Sequence, residues 1–282
     1  MHAHADTQRA AGRRLALVPT LGALHEGHFE LIRTAQKHAD HVTVSVFVNP
    51  TQFGPDEDYE TYPRDLDRDR QKLQRLGVDT LFAPTVEAMY PSAAGSDAEP
   101  LTWVTVDRLD ETLCGRHRPG HFRGVTTVVA KLFHACKPDV AVFGRKDAQQ
   151  YVIIRRMVRD LQWDIEIVGV DTVREEDGLA LSSRNAYLSP SEREQATVLY
   201  AAVQAARTRI RDGEQEVAPI VGAMQSHLQQ APDATVQYAE VVDAHSLQPV
   251  THIASGQSVL AAVAVFFGET RLIDNTFVKA PA

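Results

Sequence analysis

Hydrophobic positions in the first 170 residues fall into short strand-like runs separated by longer stretches of helical period. Leu15–Val18, Val42–Val48, Thr80–Ala83, Val140–Phe143 and Ile165–Val170 are runs of four to seven residues rich in apolar and β-branched side chains. Runs so rich in apolar and β-branched residues suit strands buried on both faces. Between them, Phe29–Ala39, Leu66–Leu76, Val125–Cys136 and Gln149–Leu161 carry apolar residues at helical spacing. The β-α-β-α order predicts an α/β fold: a Rossmann-like, mostly parallel sheet with helices on both faces. Pro91–Asp97 reads as a surface loop by composition.

The pattern changes near Asp171. Ser189, Pro190 and the acids that follow form a helix start, Ser189 as N-cap and Pro190 at the first helical position. That helix is predicted to run to Asp212-Gly213, and a second to cover Val217–Gln230. Strand-like segments follow at Val236–Val242, Ser258–Phe267 and Thr270–Ile273, with Gly268-Glu269 suited to a tight hairpin. The expected organisation is a first domain over 1–171 and a smaller C-terminal α+β lid domain over 172–282.

Composition narrows the class. With 282 residues, 44% hydrophobic and 23% charged, the chain is ordinary globular material. A formal net charge of −8 argues against a general nucleic-acid binder and leaves room for a local basic pocket. The two cysteines, Cys114 and Cys136, stand far apart and outside any metal-ligand spacing, so they read as free thiols of a reducing cytoplasm. No apolar run approaches the roughly 20 residues that span a membrane. Met1–Asp6 has no signal-peptide core and reads as a disordered tail, with His2 and His4 as weak metal candidates.

The candidate chemistry sits where strands end. Pro19–His28 (PTLGALHEGH) follows the first strand and opens the first helix, the corner that binds phosphate in open α/β sheets. Gly22 and Gly27 permit close backbone approach, and His25 and His28 supply imidazole donors. A zinc reading lacks further ligands at recognisable spacing. At the end of the second strand, Asn49 and Gln52 are amides suited to a small hydroxy acid, or to stabilising an Asn-Pro turn. Tyr62-Pro-Arg64 follows the acidic run Asp56–Asp58. Asp65, Asp67 and Asp69 are either magnesium candidates or a solvated helix face. Arg116–Gly124 is a charged loop dense in cations, with Arg118 the strongest candidate for phosphate or carboxylate. Lys146 stands at the end of a further strand with Gln150 one helical turn beyond, and Gly178–Asn185 carries a Ser-Ser-Arg triplet.

These segments resemble a known set. HEGH matches the HxGH signature of the adenylyl-transferring nucleotidyltransferases, and the Ser-Ser-Arg loop is similar to their KMSKS-type loop. Together PTLGALHEGH, FVNPTQF, YPR, RPGHFRGV, FGRKDAQQ and DGLALSSRN, in that order from Pro19 to Asn185, resemble the pantoate–β-alanine ligase family. The resemblance implies an ATP-dependent ligase that adenylates pantoate and passes the acyl group to β-alanine, with Mg2+ accompanying ATP as co-substrate. The alternative is a nucleotidyltransferase that adenylylates another small acceptor without ligation.

By the same resemblance, His25, His28, Lys146 and Arg184 carry the catalysis. ATP lies against Leu21, Gly22, Ala23, Leu24, Glu26 and Gly27, against Gly144, Arg145 and Asp147, and against Val173, Leu181, Ser182 and Ser183. Pantoate and β-alanine take Gln52 and Gln150, with Asn49, Tyr62 and Arg118 nearby. No metal ligand is assigned. The resemblance also implies a cytoplasmic homodimer, with no nucleic-acid or membrane partner. Leu21 stands where the family commonly has methionine, and Arg145 where it commonly has glutamate. Only Met1–Arg14 precedes the first strand, so the family's opening segment is expected to be short or absent.

Overall fold

A computed structural model describes residues 1–55, 57–91 and 100–282. Asp56, and all of the Pro91–Asp97 loop except Pro91, lie outside the described residues. The chain forms two compact units. The first comprises Met1–Asp107, Arg118–Arg145 and Ile153–Asp171; the second comprises Arg108–His117, Lys146–Val152 and Thr172–Ala282.

The first unit is built on a five-stranded parallel sheet of order β3-β2-β1-β4-β5. Its strands are β1 (Leu15–Thr20), β2 (His41–Val46), β3 (Thr80–Phe82), β4 (Val140–Gly144) and β5 (Glu166–Val170). Ala16, Val18, Val42, Val44, Val140 and Val142 share one face and pack against Leu31, Ile32 and Ala35 of α2 (Glu26–His38) and Leu73 of α3 (Leu66–Arg75). The alternate residues turn to the opposite face. There Phe143 meets Phe133 of α6 (His121–Cys136) at 6.4 Å between ring centroids. β1 is buried from both sides, as its unbroken apolar run requires.

The N-terminus corrects the expectation of a disordered tail. His2–Ala10 is a helix, α1, with Ala5 fully buried. Its polar face is fixed at long range: Arg9 donates to the Lys137 carbonyl at 2.9 Å and pairs with Asp139 at 3.2 Å, and Lys137 pairs with Asp6 at 2.5 Å.

The second unit holds a three-stranded antiparallel sheet, β6 (Ala234–Asp243), β7 (Ser258–Phe267) and β8 (Thr270–Lys279), in that order. Gly268, at φ 55°, turns the β7–β8 hairpin where the sequence placed it. β8 runs past Ile273 because Asp274 and Asn275, polar residues that interrupt the apolar pattern, are buried with partners of their own. Leu199, Ala202, Val203, Ala206 and Ile210 form the buried stripe of α9 (Val198–Arg211), which joins Ile220, Met224 and Leu228 of α10 (Val217–Leu228) in one core with the sheet.

The predicted single helix from Ser189 is two. The short helices α4 (Val86–Met89) and α5 (Leu113–His117) precede α6, and α7 (Ala148–Asp160) follows β4. α8 (Pro190–Gln195) starts with the predicted capping box of Ser189 and Glu192. It stops before Thr197, whose hydroxyl donates to the Glu194 carbonyl at 2.8 Å and competes with the helical ladder.

Candidate active site

β1 and β2 are parallel neighbours in register, Thr20 opposite Val46, so the segments that leave their carboxyl ends start side by side. In open parallel sheets that edge is where ligands sit.

The first segment turns through Gly22 at φ 89° and Ala23 at φ 50°. This left-handed turn brings successive main-chain N–H groups, those of Ala23 and Leu24, toward one point, an arrangement that invites an anion. The anion is a side chain: Asp69 of α3 accepts from Ala23 N–H and Leu24 N–H at 2.9 Å each. Lys72, one turn on, donates to the Leu24 carbonyl at 2.6 Å. Asp69 is 1% exposed, so the reading of this aspartate as part of a solvated face is corrected.

α2 then begins at Glu26, three residues before the sequence pattern placed it, with His25 as its N-cap. His25 Nδ1 accepts from Gly27 N–H at 3.1 Å, and His28 Nδ1 accepts from His25 N–H at 3.2 Å. The two rings lie 4.1 Å apart between centroids. An imidazole nitrogen that accepts carries no proton, so in both neutral rings the proton sits on Nε2. The histidines satisfy N–H groups at the start of the helix with Nδ1, which leaves the ring proton on Nε2. Glu26 is exposed and pairs with Arg33 at 2.5 Å.

The second segment leaves β2 through a short 3-10 turn, Pro50–Gln52. Asn49 is fully buried, and its side chain holds the turn together. Its Oδ1 accepts from Tyr90 hydroxyl at 2.8 Å and Thr51 hydroxyl at 3.0 Å, and its Nδ2 donates to Gln52 Oε1 and to the Gly124 carbonyl, both at 3.2 Å. Of the two readings of Asn49, the turn-stabilising one describes its contacts. Because Gln52 Oε1 takes a donor from Asn49, the Gln52 amide is turned with Nε2 away from that contact.

Tyr62 is buried against Phe53 at 6.0 Å, and Arg64 ties its own loop by donating to the carbonyls of Tyr59, Glu60 and Tyr62. Arg118 is clamped by Glu57, whose carboxylate takes Nε and Nη2 at 2.5 Å each. Burial raises the Glu57 carboxyl, but the hydrogen bonds and charge of Arg118 outweigh it and hold Glu57 below its ordinary range. The segment read as a charged loop is mostly helical: Arg116 and His117 end α5, and α6 begins at His121. Gly144 ends β4, and Arg145 pairs with Asp171 at 2.9 Å.

In the second unit, Lys146 and Asp147 belong to a 3-10 turn that leads into α7, with Gln150 in that helix's first turn. Asn275 Nδ2 donates to the Lys146 carbonyl at 2.8 Å. Gln149, which drew no attention in the sequence, is buried and donates to the carbonyls of Leu109 and Thr112 at 2.7 and 2.8 Å, fixing the start of α7.

Val173 and Leu181 face each other across a small loop closed by Leu181 N–H on the Val173 carbonyl at 3.0 Å. Arg174 locks that loop, pairing with buried Asp274 at 2.6 and 2.9 Å and donating to the Gly178 carbonyl at 3.0 Å. Ser182 caps the turn carrying Ser183 and Arg184 by accepting from Arg184 N–H at 3.3 Å.

A glycine-bearing corner with paired imidazoles, at the carboxyl edge of a parallel sheet, defines a nucleotide-binding α/β protein of the HxGH type. The family model of pantoate–β-alanine ligase matches residues 1–277. The chain is 71% identical to the pantothenate synthetase of Salinibacter ruber over all of its length and 96% of that protein, and 50% identical to that of a Thermoanaerobacter species over 95% and 92% of the two chains. The crystal structure of pantothenate synthetase from Thermus thermophilus superimposes with a TM-score of 0.87 at 48% identity, over 96% of each chain. A Francisella tularensis ligase crystallised with a β,γ-ATP compound and β-alanine gives 0.75 at 33% identity, over 96% and 93%. This chain belongs to the pantoate–β-alanine ligase family and is an enzyme of that family.

Proposed function

We propose that the enzyme condenses pantoate with β-alanine through a pantoyl-adenylate, and that the residues at the strand ends carry the roles given below. The observation that supports this most is the departure of the His25–His28 segment and of the turn carrying Gln52 from the carboxyl ends of adjacent parallel strands in register.

In the first step a carboxylate oxygen of pantoate bonds to the α-phosphorus of Mg·ATP. The bridging P–O bond breaks, and its electron pair leaves with pyrophosphate. The carboxylate is already a nucleophile at neutral pH, so the enzyme supplies position and charge rather than a base. His25 and His28 donate to the phosphate oxygens, a kind of contact worth about 3 kcal/mol per donor. Lys146 and Arg184 add positive charge, and Gln52 and Gln150 hold pantoate, with Tyr62 and Arg118 beside them. In the second step the β-alanine nitrogen, as free amine, bonds to the acyl carbon, the bond to AMP breaks, and the surplus proton on nitrogen passes to solvent. Acyl-adenylates hydrolyse readily, so Leu181–Arg184 closes over the nucleotide and residues 172–282 act as a lid.

Magnesium enters with the nucleotide, held by phosphate oxygens and water. Among the described residues no three His, Cys, Asp or Glu side chains gather to hold a metal. A cytoplasmic homodimer completes the proposal. The dimer follows from the resemblance alone. The location draws on it and on two free, buried cysteines, of which Cys136 is pushed by burial up to about 12.

The test is pyrophosphate release from Mg·ATP with and without each acid. Release that requires pantoate, with AMP appearing only after β-alanine is added, is the expected result. Release with another acceptor, ending in a stable nucleotide conjugate, would favour the nucleotidyltransferase alternative.

A further inference from the structure

The first turn of α6 is fastened to the turn that carries Gln52. His121 Nδ1 lies 2.7 Å from the Gln52 main-chain carbonyl oxygen, and His121 Nε2 lies 3.1 Å from Arg118 Nη1. A carbonyl can only accept and a guanidinium can only donate. The two contacts therefore fix one tautomer: Nδ1 carries the proton and donates to Gln52, while Nε2 accepts from Arg118. The Glu57 clamp on Arg118 holds that guanidinium in place, and Arg118 Nη2 approaches the same Gln52 carbonyl at 3.4 Å.

α6 also presses on the turn from behind. A Cβ on Gly124 would lie 2.1 Å from the Thr51 carbonyl oxygen, so only glycine allows this approach. The helix needs none of these contacts for its own ladder, which starts with Gly124 N–H on the Gly120 carbonyl at 3.0 Å. Within the Arg116–Gly124 segment, His121 and Arg118 thus both contact another segment's backbone.

We propose that His121 is a positioning residue for Gln52. By fixing the main chain of the turn, with Arg118 and Glu57 behind it, His121 sets where the Gln52 amide meets the hydroxy acid, and so the affinity for that substrate. The proposal rests on the reading of Gln52 as a pantoate-binding residue.

The test compares KM for pantoate, ATP and β-alanine in the full-length enzyme and in H121F, H121N, Q52A and the double variant H121F/Q52A. Phenylalanine keeps the ring volume and removes both hydrogen bonds. Asparagine can place an amide donor where Nδ1 sits. H121F is expected to raise the pantoate KM roughly tenfold, the scale of one hydrogen bond, with the ATP KM changed less than about twofold. H121N restores most of the pantoate KM. On the Q52A background H121F adds less than about twofold, because residues acting through one another are not additive. Should H121F melt below the assay temperature, H121A takes its place.

An H121F enzyme with unchanged pantoate KM, with all three KM values raised alike, or with a full additional effect on Q52A overturns the proposal. A Q52A enzyme with unchanged pantoate KM overturns the Gln52 reading itself. A raised KM in Q52A beside an unchanged one in H121F overturns the positioning role alone.

Discussion

The carboxylate of Asp69 accepts the main-chain N–H of Leu24 at 2.9 Å, one residue before His25. Its second oxygen takes Ala23 N–H at the same distance. A helix that begins about 40 residues further along the chain thus sets the path of the loop from which the histidine pair departs. The left-handed backbone of Gly22 and Ala23 collects N–H groups that would otherwise be buried without partners, and one buried carboxylate satisfies two of them.

Asp69→Asn puts an amide NH2 where one of those N–H groups needs an acceptor. We expect a loss of about 2–4 kcal/mol in urea unfolding, together with slower pantoate-dependent pyrophosphate release. Unchanged stability would show that the loop holds its course without the carboxylate.

His28→Ala removes an Nε2–H donor and also the Nδ1 acceptor that caps His25 N–H. Loss of the cap costs about 1 kcal/mol of stability, whereas loss of the donor lowers the rate of adenylate formation about 10²–10³-fold. Single-turnover pyrophosphate release and thermal melting separate the two effects. A variant destabilised but fully active would remove His28 from the chemistry.

Glu57 links acid to the Gln52 turn. Its carboxyl is held below the ordinary value of 4.5, because the Arg118 contacts outweigh the burial that would raise it. A depressed carboxylate stabilises the fold fully above its unfolded value, and that contribution is lost as pH falls through the folded one. Glu57→Gln should therefore melt lower than the parent at neutral pH, and the gap should close as pH drops below the ordinary carboxylate range. A gap that is constant with pH would mean the pair contributes packing and not charge.

Gly178→Ala tests the small loop of the second unit. Gly178 sits at φ 95°, and an added Cβ would lie 2.1 Å from a Tyr200 ring carbon. Tyr200 also lies beneath Arg174, the residue that locks the loop, at 4.4 Å from the ring centroid. Strain and overpacking together should cost about 2–4 kcal/mol. Equilibrium unfolding indistinguishable from the parent would show that the loop moves aside freely.

Local pattern made most of this molecule legible. The apolar-rich runs located all five parallel strands, and glycine with flanking strands located the β7–β8 hairpin. What escaped has a common cause: the deciding partner lies far away in sequence. Asp69 looks solvated beside Asp67 and Arg68, yet its partners are N–H groups 45 and 46 residues away. α1 has only alanines for an apolar face, and its long-range contacts reach Lys137 and Asp139. Asp274 breaks an apolar pattern and is buried because Arg174 reaches it across 100 residues. Motif reading singled out the histidines, Gln52 and Lys146 as candidates, because those stand at strand ends. It read Asp69 as a magnesium candidate or a solvated face and gave His121 and Gln149 no role of their own; all three hold backbone, and one sequence shows no backbone to hold.

The most direct test of the acyl-adenylate at the His25–His28 corner uses pantoate labelled with 18O in its carboxylate. If the carboxylate oxygen bonds to the α-phosphorus and that bond's other side breaks when the amine attacks, one labelled oxygen must appear in AMP. Mass spectrometry of the products should find AMP carrying one 18O and pyrophosphate carrying none. Label absent from AMP, or release of inorganic phosphate bearing it, would contradict the account.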